Sequence, residues 1–271
     1  MNPNKALWEK GDFTEIASMM RDSGSALAAT LGVVPGLQVM DLGCGDGTTA
    51  VPMAQLGAKV RGIDISTPLV AAGNKRAAAL GLTNLTFEEG DACNLEGVPD
   101  ASFDLSISIF GAMFAPKPFD VAKEMVRVTR PGGRVIMGNW IPGDPTSLIS
   151  DVLKISAAFT PPPPEGFISP MKWGVEGDIV ERFVAAGVPA EKISVQKDVF
   201  SFASDDKSPA DLIWTLRRFY GPTMNAFEAA DKNGKTDELQ EQLVAAAEKH
   251  NTRQGGGMAI AATFMRVTVA V

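Results

Sequence analysis

The sequence predicts an α/β protein: a mostly parallel sheet with helices on both faces. Between Leu37 and Trp140, short apolar runs alternate with segments of helical spacing, the pattern left by strands joined through crossover helices. One of those runs passes directly into Gly43, Gly45 and Gly47 and then into a helical segment, a strand-to-helix turn of the kind that holds ligands in such sheets. The 271 residues, 45% hydrophobic and 21% charged, suit one large α/β domain or two small ones.

From about Lys5 to Leu31, apolar residues recur at helical spacing, and Pro35-Gly36 closes the stretch as a turn. Leu37–Asp41 reads as a buried strand, Thr48–Leu56 as a helix and Lys59–Asp64 as a second strand. Ser66 and Thr67 offer an N-cap before Pro68, and the Ala-rich helix stops at Gly81. Asn84–Glu88 and Phe103–Phe110 are the third and fourth strands. A helix covers roughly Phe119–Thr129, and Arg130-Pro131-Gly132-Gly133 breaks it before a fifth strand, Arg134–Trp140. After Trp140 the alternation weakens. Pro142–Pro170 includes the run Pro161–Pro164, which reads as a stiff extended segment rather than a core element. Val175–Ala186 is a helix and Ile193–Phe202 a strand. Asp205 to about Asn251 is helical in two pieces divided near Asn233-Gly234, and a last strand follows at Ala262–Val269. These two late strands complete the sheet.

Composition removes several functions. Lys+Arg 25 against Asp+Glu 32 gives a net charge of -7, which disfavours nucleic acid as the main partner. Two cysteines, Cys44 and Cys93, exclude a disulfide scaffold or a Cys-rich zinc module, and a single histidine, His250, excludes a His-ligated metal centre. The N-terminus has no signal-peptide character and no run is apolar enough to span a membrane. A cytoplasmic protein without metal, membrane or nucleic-acid partner is expected.

The candidate site lies at three strand ends. Asp41 closes the first strand just before the glycine loop, which brings free helix N–H donors and an open backbone. Asp64 closes the second strand 21 positions after Gly43, near the spacing of an acid that accepts from ribose hydroxyls. Asp91, after the third, can accept from an exocyclic amine. Together they describe an adenosine-shaped pocket. Gly45-Asp46-Gly47-Thr48-Thr49-Ala50 also fits G-x-G-x-x-A, one form of the dinucleotide fingerprint, which leaves a nicotinamide-dependent oxidoreductase as a rival reading.

The segments VMDLGCGDGT, GIDIS, GDA, FDLSIS and RVTRPGGRVIM resemble the successive motifs of class I S-adenosylmethionine-dependent methyltransferases, nearest to the quinone and small-molecule group. Trp8, Gly11-Asp12-Phe13, FGAMFAP at Phe110–Pro116, Asn139-Trp140 with Pro142, the proline run and Trp173-Gly174 resemble a bacterial subgroup of unsettled substrate. The resemblance implies a Rossmann-like fold: a seven-stranded sheet, parallel but for its last strand. It implies a single domain over 1–271, with a cofactor core at about 32–141 and a helical cap from 1–31, 142–171 and 205–251. It implies S-adenosylmethionine as cofactor. Gly43, Gly45 and Gly47 would pass beside its methionine part, with Asp41 nearby. Asp64 would hold the ribose, Ile65 pack on the adenine, Asp91 and Ala92 bind its edge, and Ile109 and Phe110, following Ser108, border the sulfonium.

The function expected is methyl transfer to a small molecule. A non-catalytic protein that binds the cofactor on the same scaffold is the alternative. Trp8, Met113, Phe114, Trp140, Trp173 and Tyr220 are candidates to line an acceptor chamber, with ordinary core packing as the competing account. Cys44 and Cys93 should be unbridged, since the second strand is expected between them. His250 reads as a surface or helix-end residue, and Asp12 and Asp46 as solvated acids.

Overall fold

The computed structural model describes Asn2 and residues 4–271. The N-terminal stretch of helical spacing folds as helices α1 (Lys5–Trp8), α2 (Phe13–Ala17) and α3 (Arg21–Thr30), with a 3-10 turn at Ser18–Met20. The break falls at Gly11-Asp12. Asp12 stands in extended conformation and accepts the Thr14 amide, so it caps a new helix. Gly11 lies so close to the Phe219 carbonyl that a Cβ there would run into it.

Strands β1 (Gln38–Leu42), β2 (Lys59–Asp64), β3 (Leu85–Glu89), β4 (Phe103–Ile109) and β5 (Thr129–Trp140) pair in parallel. They alternate with α4 (Ala50–Gln55), α5 (Thr67–Ala79) and α6 (Pro118–Val128). Arg130–Gly133 ends α6 but lies inside β5, as an irregularity in its pairing with β4. The sheet order is β3-β2-β1-β4-β5-β7-β6, with β7 (Met258–Ala270) antiparallel to both β5 and β6 (Ile193–Ser204). This is the seven-stranded, mostly parallel sheet expected. The order reverses between β1 and β4, which puts a crevice at their carboxyl ends. β1 and β4 are buried along most of their length, as strands covered on both faces must be.

Two corrections concern the later chain. Pro142–Pro170 is more than its proline run: it contains a core-packed helix not read from the sequence, α7 (Leu148–Phe159), whose Leu148, Ile149 and Val152 are buried. The stretch around Pro161–Pro164 is exposed and without regular structure. After α8 (Glu176–Ala185), the segment from 205 to 251 holds three helices rather than two: α9 (Pro209–Phe219), α10 (Gly221–Lys232) and α11 (Thr236–His250). The extra break comes at Tyr220-Gly221-Pro222, where proline at the first turn of α10 cannot continue α9. Ser208 and Asp211 form a reciprocal capping box at the start of α9. α7 and α11 pack on one another. Among the described residues, no helix is long and apolar enough to cross a membrane.

Candidate active site

The three glycines of the loop all have positive φ: Gly43 67°, Gly45 56° and Gly47 91°, which side-chain-bearing residues rarely adopt. Gly43 also touches Gly111 in the loop after β4, backbone on backbone, where a Cβ on either would collide. The carboxyl ends of β1 and β4 are thereby drawn together. A Cβ on Gly45 would meet nothing within 4 Å, so the loop keeps open space over its second glycine.

Asp64 faces that loop from the end of β2. Its Oδ2 accepts the Gly45 amide at 2.8 Å and its Oδ1 the Ser66 amide at 2.9 Å. Burial pushes its pKa up, against the pull of those backbone donors. Asp91 Oδ1 accepts the Cys93 amide at 2.9 Å and the Asn2 side-chain amide at 3.0 Å. Asp41 is set deeper. Its Oδ2 accepts the Thr49 hydroxyl at 2.6 Å, and it supports the loop from below instead of bordering open space.

Gly43, Gly45, Asp64, Ile65, Asp91, Ala92, Ile109 and Phe110 line one cavity. Gly47 does not line it; its Cα faces Phe87 and Val51. From the glycine loop the cavity runs into an aromatic chamber. Phe110 stacks on Trp140, with ring centroids 3.6 Å apart and planes at 8°, and Phe200 meets Phe110 edge-on at 5.1 Å. Phe110 holds φ 65°, a costly conformation for a side-chain-bearing residue. Trp8 packs on Phe114 at 5.1 Å and Tyr220 at 5.9 Å. Burial pushes the Tyr220 hydroxyl well above its ordinary pKa.

Of the chamber candidates, Trp8, Phe114, Trp140 and Tyr220 face the cavity. Met113 and Trp173 do not, and both are 1% exposed. Met113 belongs to the core. Trp173 packs edge-on to Phe183 and lies under the Arg182 guanidinium, 4.4 Å from its ring centre. Their sequence signal, a large apolar residue near the site, is also the signal of a core residue.

Other assignments change as well. Asp46 is no solvated acid: it is 3% exposed, lines the cavity and pairs with Arg21 Nη2 at 2.7 Å. The His250 side chain is 8% exposed at the end of α11, with Nε2 2.9 Å from Asp151 Oδ2 on α7; it joins two helices away from the cavity. Cys44 and Cys93 are free thiols with β2 between their strands. Burial raises both, Cys93 to about 11, so neither is a ready nucleophile. Phe200, Phe202, Ile149 and Leu216 also line the cavity and were missed. They lie far along the chain, and their apolar spacing signals only packing.

Residues 40–137 match the family model described as a methyltransferase domain. An uncharacterized protein of Mycobacterium tuberculosis H37Rv is 29% identical over 231 residues, covering 83% of this chain and 80% of its own. The demethylmenaquinone methyltransferase of Beutenbergia cavernae is 38% identical over 110 residues, 41% of this chain and 43% of that one. The solved YcgJ protein of Bacillus subtilis shares the fold with a TM-score of 0.55 at 17% identity, covering 91% of this chain and 97% of that one. The Haemonchus contortus phosphoethanolamine N-methyltransferase 2, solved with phosphomonomethylethanolamine and S-adenosylhomocysteine, has a TM-score of 0.56 at 17% identity, over 92% of this chain and 52% of that one. The sheet order, the glycine loop and the matched domain define a Rossmann-like methyltransferase. The chain carries a methyltransferase domain over residues 40–137 and is similar to class I S-adenosylmethionine-dependent methyltransferases, a demethylmenaquinone methyltransferase among them.

Proposed function

We propose that the protein transfers a methyl group from S-adenosylmethionine to a small, largely apolar acceptor. The observation that carries this is one continuous cavity, with the glycine loop and the Asp64 and Asp91 carboxylates at one end and the aromatic chamber at the other. The residues present fit the cofactor. The open space over Gly45 suits close approach of a ligand to the backbone, and Asp64 and Asp91 are acceptors suited to hydroxyl and amine donors. Asp64 would hold the ribose, Ile65 and Ala92 flank the adenine with Asp91 at its edge, and Gly43 and Gly45 run beside the amino-acid part. When bound, the cofactor supplies a methyl carbon on an already activated sulfur leaving group.

The protein's task is then alignment and exclusion of water. Phe110 and Trp140 form a flat wall where the two ends of the cavity meet, and Trp8, Phe114 and Tyr220 enclose the far side. The cofactor core would be residues 32–141, and the N-terminal helices, α7 and α9–α11 the cap. The acidic balance of the chain supports a small molecule rather than tRNA or DNA. Calorimetry with S-adenosylhomocysteine and with NAD(P) tests the reading. Asp64→Ala should weaken binding of the former roughly 10- to 100-fold, the loss expected of charge-assisted hydrogen bonds. Unchanged affinity in that variant, or preference for NAD(P), would overturn it.

A further inference from the structure

The cavity wall carries three carboxylates, Asp46, Asp64 and Asp91, and among the described residues that line it there is no lysine, arginine or histidine. Asp64 and Asp91 each accept from backbone amides at the strand ends. Asp46 stands in the glycine loop itself, and its two oxygens differ. Oδ2 pairs with Arg21 Nη2 at 2.7 Å, whereas Oδ1 is enclosed and has no partner among the described residues. A buried carboxylate oxygen without a donor is costly, so Oδ1 marks a place for a donor that the chain itself does not supply. Asp41 also has an unpartnered oxygen, but it lies beneath the loop and does not line the cavity.

Asp46 is held from several directions. Arg21 opens α3, and α3 runs so close to the loop that a Cβ on its Gly24 would strike Thr48. Arg76, from α5, donates to the Asp46 carbonyl at 3.3 Å and to the Gly47 carbonyl at 3.0 Å. Asp64 takes the Gly45 amide at 2.8 Å. Both arginines thus fasten one residue, Arg21 by its side chain and Arg76 by its backbone. A carboxylate fixed in this way loses little freedom when a ligand reaches it.

The ligand group that suits Oδ1 is a cation rich in N–H donors, and a primary ammonium is the simplest. The amino-acid part of the cofactor, set beside Gly43 and Gly45 above, carries one. We propose, resting on the methyltransferase reading above, that Asp46 recognises the α-ammonium of that part through Oδ1, with Arg21 and Arg76 as positioning residues. The contact is a hydrogen bond with both partners charged, roughly twice as strong as one between neutral groups. It makes the site selective for the full cofactor over adenosine derivatives that lack the amino group.

The test is calorimetry on the full chain with three ligands. They are S-adenosylhomocysteine, its analogue without the α-amino group, and methylthioadenosine, which lacks the whole amino-acid part. The wild type should prefer S-adenosylhomocysteine to the deamino analogue roughly 10- to 100-fold, as a hydrogen bond between charged groups requires. Asp46→Asn, which keeps an oxygen for Arg21, should cut that preference by roughly tenfold or more while methylthioadenosine binds as before. Asp46→Ser provides the same comparison should the asparagine variant fold poorly. No preference in the wild type, or a preference that survives in the variants, would overturn the inference. Equal weakening of all three ligands would also overturn it, since Asp46 would then only support the loop. Failure of the wild type to bind S-adenosylhomocysteine at all would instead overturn the methyltransferase reading beneath it.

Discussion

Asp41→Asn should stabilise the protein more at alkaline than at acidic pH. Asp41 is wholly enclosed beneath the glycine loop; its Oδ1 has no partner among the described residues, and its Oδ2 takes the Thr49 hydroxyl. Burial, with the Asp64 carboxylate adding to it, raises its pKa from 3.8 to about 7. The unfolded chain therefore gives up this proton more readily than the folded one. The contribution to stability is fully present below pH 3.8 and is lost as pH rises through about 7. Asparagine cannot ionise, yet it keeps an oxygen for Thr49. Each pH unit between 5.5 and 7 is worth about 1.4 kcal/mol, so the variant should gain about 2 kcal/mol on wild type between pH 5.5 and 8.5. Urea unfolding of both proteins at the two pH values measures this, and any constant offset from the substitution cancels in the difference. A stability difference that is the same at both pH values would show that Asp41 does not change its ionisation over this range, and the reasoning would fail.

Gly11→Ala should cost about 1–3 kcal/mol, the cost of overpacking, because its Cβ would strike the Phe219 carbonyl; a lowered melting temperature with unchanged S-adenosylhomocysteine affinity is the expected result. His250→Ala should lower stability while leaving single-turnover methyl transfer within a few-fold of wild type, since its Nε2 is 2.9 Å from Asp151 Oδ2 and its ring does not line the cavity. A loss of 10²-fold or more, the size of general-base catalysis, would place it in the chemistry. Gel-shift titration at low salt should find no tight, salt-sensitive binding of tRNA or DNA, since binding that weakened steeply with added salt would mark phosphate contacts.

Much of the site's cofactor end could be read from the chain because its residues follow one another closely. The strand, the glycines and Asp64 fall within 37–64, and local rules govern each: positive φ for glycine, acceptor chemistry for a carboxylate, a free helix N-terminus. The aromatic end of the cavity draws Trp8, Phe110, Trp140, Phe200 and Tyr220 from five separate elements. An aromatic residue that lines a cavity and one that fills the core look alike along a chain, so Trp140 and Trp173 could not be separated there. Asp46 was misread for a similar reason: its burial depends on Arg21, 25 positions away.

The sequence by itself determined the parallel sheet, the glycine turn and the order of carboxylates at the strand ends. Periodicity and backbone conformational preference act over a few residues and need no distant partner. Tertiary structure alone decided which aromatic side chains meet in the chamber, where the N-terminal helices cross the α9–α10 junction, and that α7 exists as a helix against α11. Those outcomes depend on close packing between segments more than 200 residues apart, where Gly11 at Phe219 and Gly221 at Leu7 leave no room for a single methyl group.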